Sequence, residues 1–117
     1  MELKDSQWNI LHCALFICAT DGLISETEEE TVIKLFAKQF PSVSKFRIEA
    51  EVDKFFSSNE QLESYAKKIT QQHEQSLAIS ISQTAASSDG LDYRENFALK
   101  RLLNLWNLEI QGGANGA

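Results

Sequence analysis

Two copies of one local pattern, one near each end of the chain, constrain the fold most strongly. The segments ATDGLISETEEETVIKLF and SSDGLDYRENFALKRLL occupy residues 19–36 and 87–103. Each passes from small residues to Asp-Gly, then to a cap residue, an acid three positions later and an apolar segment. Because glycine readily takes the left-handed conformation that ends many helices, the Asp-Gly pairs predict breaks between helices. We therefore expect two helical hairpins related by approximate symmetry, with the helices over 5–20 and 74–88 packed at the centre.

Signals for the start of a helix follow both Asp-Gly pairs. Ser25 and Glu28 form the S-x-x-E pattern of a capping box, in which each side chain accepts a hydrogen bond from the other residue's backbone amide. Asp92 and Glu95 have the same spacing. Acidic side chains are also favourable at the positive end of a helix dipole. The pattern predicts one helix that begins after Ser25 and another that begins after Asp92.

Apolar residues recur at helical spacing along most of the chain. The expected helices lie at about residues 5–20, 25–39, 46–56, 62–69, 74–88 and 92–106. Pro41 ends the second of them, because proline cannot continue a helix. The sequence therefore predicts an all-α fold, a single-domain helical bundle of about six helices over residues 1–111, followed by a flexible tail at 112–117.

The segment 74–87 is open to a second interpretation. Its serines and isoleucines alternate, which is typical of a strand. We favour a helix, because glutamate, glutamine and alanine flank the run. Serine hydroxyls can also pack inside a helical bundle by donating hydrogen bonds to carbonyls of their own helix.

The charge balance argues against one class of partner. The chain carries 17 acidic and 11 basic side chains, for a formal net charge of −6 at pH 7. Such a charge repels phosphate backbones and anionic lipid surfaces. We expect no nucleic-acid partner. A basic protein partner is easier to accommodate, although an acidic excess of this size is also ordinary in soluble proteins.

The two cysteines, Cys13 and Cys18, lie five residues apart in one predicted helix. At about 100° per residue their side chains diverge by about 140°, which disfavours a disulfide. We expect buried free thiols in a reducing compartment. No secretory signal pattern and no apolar run of about 20 residues is found. The expected location is the cytoplasm, and the chain is not expected to be a membrane protein itself.

Both Asp-Gly segments resemble motifs of the tellurite-resistance TerB-like family, in which small residues precede D-G-x-[IV]-x-x-x-E and a related D-G motif lies near the end. The matching residues are Ala19, Asp21, Gly22, Ile24 and Glu28 in the first motif, and Asp89, Gly90 and Glu95 in the second. The second has one fewer residue between glycine and cap, and the similarity spans roughly residues 8–108. The resemblance implies an all-helical domain linked to tellurite and other stress resistance, to membrane-associated complexes and to acidic metal-binding patches.

The string D-G-L-I-S-E-T-E also resembles the later part of an EF-hand calcium loop. The first and third positions of that loop supply carboxylate or amide oxygens to calcium. They correspond here to Ile17 and Ala19 in the first copy, and to Ala85 and Ser87 in the second. These side chains exclude an EF-hand.

A different cation site stays open as an alternative. Asp21 and Asp89 follow helix ends, where free carbonyls and the negative end of the dipole disfavour another anion. Calcium or magnesium bound by these carboxylates and by Glu28, Glu29 or Glu95 would compensate, since both ions prefer oxygen ligands. The simpler interpretation, which we favour, is that each aspartate makes a turn and accepts hydrogen bonds from the next helix.

Motifs for catalysis are missing from the sequence. It contains no G-x-S-x-G nucleophile elbow and no glycine-rich phosphate loop. A zinc site would need further cysteines or histidines at ligand spacing from His12 or His73. We therefore expect the two histidines to have core or capping roles.

A partner-binding patch is predicted at the second Asp-Gly loop. If Tyr93 faces solvent there, it joins Asp89, Asp92 and Arg94 in a small recognition surface. The sequence thus favours a non-enzymatic, TerB-like module that offers an acidic surface for protein interaction or cation sensing. The alternative is a metal-dependent protein whose loop carboxylates hold a divalent cation. No particular partner protein is identified.

Overall fold

A computed structural model describes residues 3–20, 24–88 and 93–107 of the chain. These residues form six α-helices and no strand, which confirms the predicted all-α bundle. The helices are α1 (Asp5–Cys18), α2 (Glu26–Gln39), α3 (Lys45–Phe56), α4 (Leu62–Ala66), α5 (Gln72–Ala86) and α6 (Tyr93–Leu105). No helix in the described part of the chain is long and apolar enough to cross a membrane.

Helix α1 is the centre of the bundle, as predicted. It is apolar on most of its faces, and nine of its residues are buried. Consequently it packs against each of the other five helices, most extensively against α5. The two cysteines on this helix, Cys13 and Cys18, are buried and are not joined in a disulfide, which confirms that part of the sequence prediction.

Helix α2 begins at the predicted capping box. The Ser25 amide donates to Glu28 Oε1 at 3.1 Å, and the Glu28 amide donates to Ser25 Oγ at 3.1 Å. Val32 and Phe36 are fully buried, and the Phe36 ring stacks on Trp8 of α1 with centroids 5.6 Å apart. The helix ends two residues before Pro41, so its bounds follow from local sequence signals.

Helix α4 is shorter than predicted. It ends at Ala66, and the turn after it continues with short-range backbone hydrogen bonds, from Lys68 to Tyr65 and from Ile69 to Ala66. Ile69 is nevertheless 1% exposed. The apolar spacing of the sequence therefore predicts the burial of Ile69 correctly, although this residue lies outside the helix.

Helix α5 settles the ambiguous serine-isoleucine segment as a helix. The predicted hydrogen bond from a serine hydroxyl to a carbonyl of its own helix is wrong for the buried Ser82, whose Oγ has no hydrogen-bond partner among the described residues. Ser88, just after the helix, does donate to the Ala85 carbonyl at 2.7 Å.

Helix α6 packs on α1, α4 and α5. Its buried residues are Glu95, Ala98, Leu99, Leu102 and Leu103. Trp106, just after the helix, donates from Nε1 to the Ala66 carbonyl at 3.0 Å. Phe97 is apolar, but it is 75% exposed. At 100° per residue it lies opposite Leu99 and Leu102, so its position on the helix turns it outward.

Candidate functional site

A surface groove lies between α2 and α3. Its volume is about 760 Å³. The lining residues are Ile24, Glu26, Glu29, Glu30, Ile33, Lys34, Ala37, Lys45 and Glu49. Helix α2 supplies most of this lining, and α3 supplies the opposite wall.

Helical spacing explains why one side of α2 lines the groove. Glu26, Glu29, Glu30, Ile33 and Ala37 lie at positions i, i+3, i+4, i+7 and i+11, which share one face of a helix. This face is separate from the one that buries the core side chains of α2. The amino-terminal half of the face is acidic, and its carboxyl-terminal half is apolar.

The glutamates on the α2 side of the groove are not neutralised within the described residues. The ion pair in the groove's opposite wall joins Lys45 Nζ to Glu49 Oε2 at 3.9 Å, on α3. Glu26, Glu29 and Glu30 have no ion-pair partner within 4.0 Å among the residues that the structure describes. The groove therefore combines an apolar floor of Ile24, Ile33 and Ala37 with an excess of negative charge, since the three carboxylates outnumber the one further cation of the lining, Lys34.

Two exposed phenylalanines lie on α3, the helix that forms one wall of the groove. Phe46 is 83% exposed and Phe56 is 48% exposed. Phe56 lies two turns after Glu49, on the same side of the helix as the groove wall. Exposed aromatic side chains beside a groove are typical of protein interaction sites.

A buried polar cluster holds the groove wall against the centre of the bundle. His12 Nε2 of α1 lies 3.1 Å from Glu51 Oε2 of α3, and Glu51 is 5% exposed. The two atoms are within hydrogen-bonding distance, but their geometry is not that of a hydrogen bond, so the contact is electrostatic. Arg47 completes the cluster, with Nη1 3.1 Å from Glu51 Oε1 and its guanidinium 4.6 Å from the centre of the Trp8 ring.

The environment of His12 favours its neutral form. Burial lowers the pKa of the imidazole below its usual value and outweighs the opposing attraction of the Glu51 carboxylate. The ring also packs between Phe55 and Tyr65, with centroid distances of 6.0 and 5.0 Å. His12 therefore has the predicted core role. His73 lies exposed near the start of α5.

The predicted metal ligands have different surroundings. Glu28 is buried and its carboxylate caps α2, whereas Glu29 faces the groove. Glu95 is buried on α6, which does not contact α2. Asp21 and Asp89 lie outside the described residues. The turns predicted at these two aspartates therefore stay predictions. Across residues 3–20, 24–88 and 93–107, no group of three or more His, Cys, Asp and Glu residues is placed to hold a metal ion.

The predicted partner patch is only partly visible. Arg94 is exposed on α6. Asp89, Asp92 and the side chain of Tyr93 lie outside the described residues, so the patch stays a prediction.

Sequence reasoning missed the groove as a unit. Glu29 was singled out, but the contribution of Lys45 and Glu49 depends on how α3 folds back along α2. The i, i+3, i+4, i+7 run of acidic and then apolar residues on α2 is the signal that could have indicated it.

Comparison with known proteins adds no relative. No family model, curated protein or solved structure matches the chain significantly. The resemblance to TerB-like domains therefore stays a prediction that rests on the two Asp-Gly motifs.

Proposed function

We propose that this protein is a non-enzymatic interaction module whose α2–α3 groove binds a basic amphipathic segment of a partner protein. The observation that carries the proposal is the combination of an apolar floor with the carboxylates of Glu26, Glu29 and Glu30, which have no ion-pair partner among the described residues. Apolar side chains of a partner would cover Ile33 and Ala37. Its lysines or arginines would lie against the carboxylates.

Charge and size both support this choice of partner. A helix laid in a groove contacts it through side chains spaced three and four residues apart. The distance from Glu26 to Ala37 along α2 is about 16 Å, which matches about three turns of such a helix. The net charge of −6 further favours encounter with a basic segment.

The chemistry of the groove supports a binding role over a catalytic one. Its lining consists of glutamates, lysines, isoleucines and one alanine. It contains no serine, cysteine, threonine or histidine, the side chains that supply the common pairs of a hydroxyl or thiol nucleophile with a histidine base. Cys13 lies elsewhere, in the core, where burial raises the pKa of its thiol well above the ordinary value.

Binding of synthetic peptides tests the proposal. We expect a labelled amphipathic peptide with lysines on its polar face and leucines on the other to bind, as measured by fluorescence anisotropy. A peptide with glutamate at each lysine position should not bind. Glu30→Lys should weaken binding about fivefold, since reversing one charge near a partner costs about 1 kcal/mol.

The matched control is Glu60→Lys, which makes the same charge change at an exposed position outside the groove. We expect its affinity for the basic peptide to equal that of the unchanged protein. Equal weakening by Glu30→Lys and Glu60→Lys would show a general charge effect and would contradict the groove assignment.

The proposal extends to the TerB-like resemblance and to the associations that it implies. Three features support a cytoplasmic helical domain of that kind: the capping box at Ser25, the central pair α1 and α5, and two buried cysteines that form no disulfide. A role in tellurite or other stress resistance predicts that deletion of the gene raises sensitivity to tellurite. Growth of the deletion strain equal to the parent across tellurite concentrations would remove that part of the proposal.

A further inference from the structure

The outer face of α6 has the composition of the partner segment that the groove requires. Its exposed residues are Arg94, Phe97, Lys100, Arg101, Asn104 and Leu105. They span an arc of about 140° at 100° per residue, so they form one continuous face. Phe97 is 75% exposed and Leu105 is 41% exposed, which gives this face two large apolar side chains.

The charge on this face is opposite to that of the groove. Its charged residues are basic, because Glu95, the acid of α6, is buried on the other side. Arg101 already binds Glu63 through Nε at 2.8 Å. Lys100 has no ion-pair partner among the residues that the structure describes. Lys100 therefore supplies a cation without an ion-pair partner among the described residues, about one helical turn from the exposed ring of Phe97.

The dimensions of the two surfaces agree. Phe97 and Leu105 are eight residues apart, which is about 12 Å along a helix. The lining of α2 from Glu26 to Ala37 extends about 16 Å by the same measure. An exposed α6 face can therefore lie within the groove, with Phe97 on its apolar part and Lys100 near its carboxylates.

The two surfaces cannot meet within one molecule. Helix α6 contacts α1, α4 and α5, and it contacts neither α2 nor α3 within the described residues. Since α6 is packed on the core through Leu99 and Leu102, it cannot reach the groove without unfolding. The groove can receive α6 only from another copy of the chain.

We propose that the α2–α3 groove binds the exposed face of α6 from a second copy of this protein. This inference rests on the proposed function, because it names the basic amphipathic segment that the groove accepts. The contact is heterologous, because it joins two different surfaces. The copy that uses its groove still has an unoccupied α6 face, and the copy that uses its α6 face still has an unoccupied groove. Such contacts produce rings when they close and open chains when they do not.

Sedimentation tests the inference. The experiment uses the full chain at about 0.1 M salt, where the Debye length of about 10 Å limits the repulsion between two molecules of net charge −6. We expect the mass-average molecular weight to rise with concentration, beyond that of a dimer. A groove variant, Glu29→Lys/Glu30→Lys, and an α6 variant, Phe97→Ser/Lys100→Glu, should each remain monomeric.

Mixing the two variants gives the sharpest outcome. The groove variant keeps its α6 face and the α6 variant keeps its groove, so the mixture should form a dimer and nothing larger. A wild-type chain that stays monomeric to about 1 mM would overturn the inference. A mixture that does not associate, although wild type does, would also overturn it.

Two controls are needed. One excludes misfolding of the variants, and the other distinguishes failure of this inference from failure of the proposed function. Circular dichroism checks that each variant keeps its helix content, and the milder Glu29→Gln/Glu30→Gln variant should lower self-association partially. Binding of the synthetic basic peptide is measured on the same wild-type sample. Peptide binding without self-association overturns this inference alone, whereas loss of both removes the proposed function as well.

Discussion

His12 on α1 lies with its Nε2 atom 3.1 Å from Glu51 Oε2 on α3. The contact joins the central helix of the bundle to the helix that forms one wall of the groove. Asn9 lies on the other side of the ring, with Oδ1 3.4 Å from His12 Nδ1, and its amide donates to the Asp5 carbonyl at 2.8 Å. A chain of polar contacts thus passes from the start of α1 to α3.

The lowered pKa of His12 predicts a pH-dependent stability. Burial is the main cause of the shift, so the unfolded chain binds a proton at His12 more readily than the folded chain does. The free energy of unfolding should be greatest above the unfolded pKa of about 6.5 and fall as pH decreases toward the lower folded pKa. Urea denaturation between about pH 7.5 and pH 5 measures this slope, whose limit for one proton is about 1.4 kcal/mol per pH unit.

His12→Gln should make that slope shallower, because the side chain no longer titrates. His73→Gln removes the exposed histidine on α5 and is the control. An equal change of slope in both variants would show that burial of His12 is not its cause.

Ser82→Ala should stabilise the protein. The hydroxyl of Ser82 is fully buried and has no hydrogen-bond partner within the part of the chain that the structure describes. Removing such a group recovers a desolvation penalty of about 1–3 kcal/mol. The control, Ser80→Ala, lies at an exposed position of the same helix and should gain only about 0.5 kcal/mol from helix propensity. Urea denaturation gives both values, and a destabilised Ser82→Ala variant would show that the hydroxyl has an unseen partner.

Local sequence signals predict most of the fold. The capping pair Ser25 and Glu28, the terminating Pro41 and the apolar stripe of α1 each act through neighbouring residues, so they can be read before any tertiary structure is known. Ile69 and Phe97 show the limit of that approach. Their apolar character does not predict that Ile69 lies beyond the end of α4 or that Phe97 faces outward from α6.

The candidate site depends on tertiary packing to a greater extent. Glu29 could be selected from the acidic start of α2, but its proximity to Lys45 and Glu49 arises only when α3 packs along α2. The partner of His12 is likewise 39 positions away in the sequence, at Glu51. No local pattern connects these residues, because the contacts depend on how helices distant in the chain approach each other.

Removal of metal ions discriminates between the interaction module and the alternative cation site. We expect the thermal midpoint to be the same in chelator as in millimolar calcium or magnesium, because Glu28 already caps α2. A selective rise in the midpoint with one ion, abolished by Asp21→Asn or Asp89→Asn, would contradict this prediction and support the metal-dependent alternative.

Mapping the bound peptide on the protein tests the central claim most directly. Amide chemical shifts of isotope-labelled protein would be followed by NMR as the lysine-leucine peptide is added. The account predicts changes concentrated in residues 24–37 and 45–56, with few changes in α5, whose residues do not line the groove. Changes centred on α5, or none at saturating peptide, would contradict the assignment of the α2–α3 groove as the binding site.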